Sequence, residues 1–327
     1  MSARHCTRRD LLETLIWRAL PACIASTRLA SAAPGAAFRS RRYRINATIL
    51  LFGAPILTRG GVGGAYLEKQ QRTTAEGNAV SLEFAAGSWP DRAHGIHRMG
   101  FFQETQEVRR GDATHAGFFG FMTSSPEKDI AEARRSLIAG GGEHYIAVTG
   151  EGSRGRFHCR RAEVDLPPGQ KWEQCGQLSG DLRHRLEEPA ALSADVETGN
   201  AQSSTFLDSV RQAMLSPRDR HEALFVHNAK RYRLTALRRP DPGVAAHLAA
   251  KGLTAPQAQV HRLSGSIADL AAGTRSGFQL WFDPADPSGL PLCFEFQPRS
   301  FLRLVFEWDG GAITQESVSA LFHKEDA

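Results

Sequence analysis

The chain has 327 residues, with 40 lysines and arginines against 35 acids and a formal net charge of +5. That near balance, with no long basic run, argues against nucleic-acid binding, which needs a concentrated basic stripe to neutralise phosphates. Only Cys159, Cys175 and Cys293 lie beyond residue 32, an odd set too sparse for a disulfide scaffold, and no later stretch approaches the ~18 apolar residues of a membrane span.

Residues 1–32 read as a cleaved address. Arg8-Arg9 is followed by Asp10, Leu11 and Leu12, the pattern of a bacterial twin-arginine export signal. An apolar stretch from Leu15 to Ala25 follows, then a small-residue Ala30-Ser31-Ala32 cleavage site. Asp10, Glu13 and Arg18 interrupt a core that a general secretory signal would keep uncharged. The competing reading is an amphipathic helix carrying Leu11, Leu12, Leu15, Ile16 and Leu20 on one face. A lipid anchor at Cys23, from Leu20-Pro21-Ala22-Cys23, is the minor alternative. The expected location is the periplasm or outside the cell. Removing the segment takes away five arginines and two acids and leaves a net charge of about +2. Export in a folded state needs no disulfide, so buried free thiols are expected, with a Cys159–Cys175 bridge left open.

Beyond a basic cluster, Arg39-Ser40-Arg41-Arg42, read as solvated linker, most segments show the two-residue period of strands. Residues 43–52 alternate and then turn apolar; Gly53, Pro55 and the tract Gly60-Gly61-Val62-Gly63-Gly64 predict a turn or bulge. Val80, Leu82 and Phe84 mark the next strand. Residues 99–108 and 116–122 predict a hairpin across Arg110-Gly111-Asp112, and residues 144–149 and 155–166 predict another. Ser125-Pro126-Glu127 opens an expected helix, and Phe206, Leu207, Val210 and Met214 give a second helix its apolar stripe. Residues 167–202 are polar, with room for one short helix near residues 178–186, and predict a linker between an N-terminal half (33–166) and a C-terminal half (203–327).

The C-terminal half predicts a hairpin of residues 223–226 and 231–236, a helix over 242–251, and strands over 259–270, 277–283, 292–297 and 301–308. Phe278, Leu280 and Phe282 share one face, as do Leu302, Leu304, Phe306 and Trp308. One greasy and one polar face belong to antiparallel sheets covered on one side. The fold class is therefore mainly β (α+β): a long curved antiparallel sheet, half-barrel or clamp, its concave apolar face plugged by two or three helices.

Two passages carry a resemblance. The strand ending Leu51-Phe52-Gly53-Ala54-Pro55-Ile56 and the run Phe278-Gln279-Leu280-Trp281-Phe282-Asp283 to Leu290-Pro291-Leu292-Cys293-Phe294-Glu295-Phe296 resemble a widespread family of exported bacterial proteins of unknown function. That family is similar in fold to the half-barrel carriers that escort lipids and lipoproteins across the periplasm. The likeness covers roughly residues 43–110 and 222–308, implies a half-barrel fold, and brings no catalytic residues. Apart from it, Asp283 to Gly289 is dense in turn formers, and Trp281 is expected to pack in the core or, second, to wall a ligand site.

No segment declares a reaction. There is no G-x-S-x-G elbow, and the glycine tract lacks the spacing and following helix of a phosphate cradle. His94 and His97, with His115 nearby in sequence, offer three imidazoles for zinc, although a spacing of three within a loop is unusual for a metal pair. The loop around Trp89, Asp91 and Arg92 joins an aromatic face to charge between two strands, where sites often sit. The expectation is a non-enzymatic envelope protein without a cofactor that binds an apolar small molecule, a lipid or a protein partner. Trp89, Asp91, Arg92 and Trp281 are its candidate ligand residues. A metal-assisted hydrolase using His94, His97 and His115 is the alternative.

Overall fold

The computed structural model describes residues 37–51, 54–74, 77–93, 95–109, 114–123, 143–153, 155–167, 169–199, 204–299 and 302–310. The export segment, Cys23, His94, the turn at 110–112 and the helix expected from Ser125 lie outside the described residues. The chain divides into residues 1–37 and residues 38–327, and only the second unit concerns us below.

Fourteen described strands form one antiparallel sheet. Its first arm is β1 (Ala37–Leu51), β2 (Ala54–Thr74), β3 (Gly77–Ser88), β4 (Met99–Arg109), β5 (Thr114–Thr123), β6 (Glu143–Ser153), β7 (Arg156–Leu166) and β8 (Leu192–Glu197). The second is β9 (Arg220–His227), β10 (Lys230–Pro240), β11 (His261–Asp269), β12 (Arg275–Phe282), β13 (Cys293–Arg299) and β14 (Leu302–Trp308). Within each arm every strand neighbours the next in the chain, and the arms join where β1 pairs with β14, Tyr43 opposite Trp308 and Ile49 opposite Leu302. The outermost strands approach each other. Val196 of β8 and Val226 of β9 share one apolar cluster, and Arg231 reaches the Glu197 carbonyl at 3.4 Å. The sheet is a nearly closed barrel, and closure shields edges that would otherwise invite pairing with another chain.

Strand alternation sorts side chains onto two faces. Inward go Phe84, Phe102, Phe118, Phe294 and Phe306, the last two stacked at 4.3 Å between centroids. Outward go Ala85, Phe101, Phe121 and Tyr145. Three described helices cover these faces. α1 (Cys175–Glu187), preceded by a 3₁₀ turn at Trp172–Gln174, lays Leu178, Leu182 and Leu186 on the outer face of β5, β6 and β7. α2 (Phe206–Leu215) lies inside, packing Ala213 and Met214 against Phe225, Leu234, Leu263 and Leu280 and touching β4 across the barrel. α3 (Pro242–Ala250) covers Trp281, Val260 and Leu292. Asp241 caps it, its Oδ1 accepting from the Val244 amide at 3.2 Å while Oδ2 accepts from the Trp281 indole at 2.9 Å.

The mainly β, helix-packed architecture agrees with the sequence reading, and the structure refines it at four points. β2 runs 21 residues through the glycine tract where a turn or bulge was expected, with Gly61 in the left-handed region at φ +64°. The stretch 167–202, read as a linker with room for one short helix near 178–186, holds α1 at that place and adds β8. Its few apolar residues recur at helical spacing and are buried, while its many charged residues face solvent. Among the described helices only α2 plugs the inner face; α1 sits on the outer one because the outward positions of β3 to β6 are apolar as well. Cys159 and Cys175 are buried free thiols, as expected, and belong to separate clusters on opposite faces, which closes the alternative of a bridge between them. Burial pushes the Cys159 thiol up to about 11, and Cys175 higher still, which leaves both protonated and unreactive.

Candidate functional site, an arginine and tryptophan cleft

The glycines of β2 shape a depression on the outer face. Gly64 and Gly87 are paired across β2 and β3, and the Trp172 ring lies flat over them. A Cβ at Gly64 would fall 2.8 Å from Trp172 Cζ2 and 3.1 Å from Trp89 Cζ2, so only glycine lets both indoles approach the backbone. Gly61 takes φ +64°, a left-handed conformation that glycine adopts without strain, and its amide donates to Asn46 Oδ1 at 2.9 Å.

The loop after β3 is tightly tied. The Trp89 amide donates to the Val62 carbonyl at 2.8 Å, the Arg92 and Ala93 amides return to the Trp89 carbonyl, and Ser88 Oγ accepts from the Arg98 amide at 2.8 Å. Trp89 donates its indole N–H to Glu173 Oε1 at 3.0 Å, which locks the loop to the turn before α1. Arg92 then stacks its guanidinium over the Trp89 ring at 5.1 Å. On β1, Tyr43 and Ile45 point inward, so the alternating Arg42 and Arg44 are presented outward and exposed.

These groups surround an open cleft of about 600 Å³, lined by Arg42, Arg44, Arg92, Trp89, Trp172 and Asp309 among others. Among the described residues Asp309 is the one acid of the lining, and none of the described lining residues is a serine, cysteine, histidine or lysine. Burial holds the Tyr43 phenol far above its ordinary value, so it stays neutral and donates to the Pro291 carbonyl at 2.7 Å rather than serving as a base. The arrangement offers guanidinium donors and aromatic faces, which suit binding; it does not assemble a nucleophile beside a base.

Of the residues expected from sequence, Trp89 and Arg92 meet here. Asp91 does not line the cleft; it is exposed beside Arg92 at 4.0 Å, a surface pair of little energetic weight. Trp281 is a core residue under α3, because its odd position on β12 faces away from Leu280 and toward Leu248 and Leu292. Two of the three histidines considered for zinc lie far apart, and the third, His94, is outside the described residues. His97 precedes β4 at one end of the β4–β5 hairpin, and His115 pairs with Glu107 at the other, roughly 30 Å away along the strand. His97 is buried with Nδ1 2.9 Å from Glu143 Oε1, and no group of three metal-binding side chains occurs among the described residues. Arg42, Arg44, Trp172 and Asp309 escaped the sequence reading. The alternation of Arg42 and Arg44 with Tyr43 and Ile45 was the available signal for the first two.

A second polar cluster lies inside the barrel. Glu104 of β4, 3% exposed, accepts from the Leu207 and Asp208 amides at 2.9 and 3.1 Å and so caps the N-terminus of α2. Asp208 is bonded by Gln106 and Gln212 and pairs with Arg211 at 2.6 Å. Desolvation raises the Glu104 carboxyl to about 7. His227 sits beside it in a cage of Phe102, Phe118, Phe206 and Tyr232, and burial lowers it to about 4. These groups hold the plug in place and line no described opening.

Fold and cleft together define a nearly closed, helix-plugged antiparallel barrel with an aromatic and cationic depression on its outside. No family model and no curated protein matches the chain. Among solved structures it is similar to the crystal structure of a beta-barrel-like protein of the domain of unknown function DUF1849 from Brucella abortus. That match is 9% identical with a TM-score of 0.41, over 83% of this chain and 95% of the other.

Proposed function

We propose that the protein is an exported, non-enzymatic binding protein that holds an anionic group in the outer cleft. The observation that carries this reading is the convergence of Arg42, Arg44 and Arg92 on two indole rings around one opening. Arginine forks pair with carboxylate or phosphate, and indole faces take up the ring or chain that bears the anion. The inner face, where an apolar ligand was expected, is occupied by α2 and stacked phenylalanines, which favours the cleft over an interior carrier site.

Titration of the protein with inorganic phosphate and with a uronic acid, followed by Trp fluorescence, tests the reading. Saturable quenching is expected with at least one of them, weakened roughly tenfold by Arg92→Gln, as loss of a charge-assisted contact predicts. No saturation with either ligand would end it. Export rests on Arg8-Arg9 and the Ala30-Ser31-Ala32 site. N-terminal sequencing of the protein recovered from its source should find the chain beginning near residue 33; a retained Met1 would overturn that half of the proposal.

A further inference from the structure

The β1–β2 hairpin carries a feature that neither the core nor the cleft explains. Ala54, Pro55, Ile56 and Leu57 open β2, and all four are exposed, Ile56 at 61% and Leu57 at 60%. A run of four exposed apolar residues in a strand is costly in water and, in a natural protein, marks a surface meant to be covered. The segment extends past its neighbour, since the β2–β3 register begins only at Gly63. On its other side the ribbon is held by Thr48 Oγ1 against Thr58 Oγ1 at 3.1 Å, and β1 by β14 as far as Ile49. The described start of β2 therefore runs beyond the register it shares with β3.

Two properties identify what covers it. First, successive residues of a strand point to opposite faces, so Ile56 and Leu57 present apolar surface on both sides of the ribbon. A protein groove covers one face, whereas a bilayer surrounds an inserted tip. Second, residues 37–67 contain no acid, and Arg39, Arg42 and Arg44 are exposed on β1, whereas Arg41 is buried and paired with Asp286. Arg59 follows Leu57 by two residues, and Arg44 and Arg42 are exposed further along β1. Apolar tip, then arginine, is the order in which hydrocarbon and anionic headgroups are met at a membrane surface. Four strand residues span about 13 Å, comparable with the ~5–10 Å depth of an interfacial element.

We infer that the β1–β2 hairpin docks the protein on an anionic lipid surface, Ile56 and Leu57 entering the acyl boundary and the exposed β1 arginines meeting the headgroups. Pro55 fits this role, because it removes a backbone donor from the unpaired edge and discourages strand pairing with another chain. Spanning is not implied, and no helix among the described residues is long and apolar enough to cross.

Co-sedimentation of the purified full chain with vesicles decides the matter. Vesicles of phosphatidylcholine mixed with phosphatidylglycerol should retain the protein at low salt, and pure phosphatidylcholine vesicles much less. Ile56→Asp with Leu57→Asp changes only exposed side chains, and should cut the bound fraction roughly tenfold or more with an unchanged melting temperature. Absence of binding to the mixed vesicles, or equal binding by the double variant, would overturn the inference. So would a concentration-dependent dimer abolished by the double variant without any vesicle binding, which would assign the tip to a second copy of the chain.

Discussion

Gly87→Val is expected to destabilise the protein by about 3 kcal/mol or more and to lower its melting temperature by roughly 10 °C. A Cβ at this position would lie 2.7 Å from Trp172 Cγ and 2.9 Å from Cδ1, and nearer still to Trp172 Cβ. Neither side can yield easily. The β3 backbone at Gly87 is fixed between Gly64 of β2 and Met99 of β4. Trp172 is 7% exposed, tilted against Tyr66 at 6.4 Å, and continuous with the core beneath α1. The ring would have to leave, and with it the cleft wall, so anion binding should fall along with stability. Gly180→Ala is the matched control. Gly180 is exposed within α1 with nothing near its Cβ position, and alanine there should stabilise by up to ~1 kcal/mol through helix propensity. A Gly87→Val melting temperature within a degree or two of the parent would show that Trp172 is not held as described.

The interior pair should show opposed pH dependences that are hidden in the parent protein. Glu104, raised to about 7 from an ordinary 4.5, binds a proton more tightly folded than unfolded, so its contribution falls as pH rises between those values. His227, lowered to about 4 from 6.5, binds a proton less tightly folded, so its contribution grows as pH rises from 4 to 6.5. Between about 4.5 and 6.5 the two slopes oppose each other. Glu104→Gln removes one, and its unfolding free energy should climb by up to about 3 kcal/mol between pH 4 and 7 relative to the parent. His221 and His261, also pushed down by burial, act in the direction of His227. His227→Phe fits the aromatic cage and should instead leave a stability that declines from pH 4.5 to 7. That decline is the Glu104 slope; the smaller slope is the one His227 leaves in Glu104→Gln, because His227 keeps some exposure and solvent screens its charge. Chemical denaturation at half-unit pH steps reads both slopes; parallel curves for the two variants would refute the pairing.

Strand alternation made most of the sheet legible. Phe278, Leu280 and Phe282, or Leu304, Phe306 and Trp308, announce one apolar face, and the structure seats them on it. β2 was hidden because glycine is a poor strand former, and its glycines answer to Trp172 and Trp89, more than a hundred residues and some twenty residues away in sequence. β8 and the full extent of α1 were hidden by composition. Leu178, Leu182, Leu186 and Val196 carry their burial among arginines and glutamates that merely face water. Within the site, Trp89 and Arg92 were visible as an aromatic and a charge in one short loop. Arg42 read as linker and Arg44 as part of a strand, and their alternation with Tyr43 and Ile45 put them on one side without showing that Trp89, Arg92 and Trp172 lie there. Trp172 could not be placed without the fold, since nothing local joins it to Gly64.

The order of strands has a consequence for how this barrel is assembled. Each arm is a run of consecutive hairpins that can form as the chain emerges, but the seam between β1 and β14 unites the first described strand with the last. A ribosome must therefore finish β14 before that seam exists, and until then β1 exposes Tyr43, Ile45 and Ala47 on an unpartnered margin. The same seam makes the polypeptide's direction nearly arbitrary. The Asp309 amide already donates to the Arg42 carbonyl at 3.2 Å, so a short loop from the end of β14 to the start of β1 would complete one more ordinary hairpin. Opened instead between β8 and β9, such a circular permutant would read β9 to β14 and then β1 to β8, an unbroken meander in which every strand is laid beside the one made just before it.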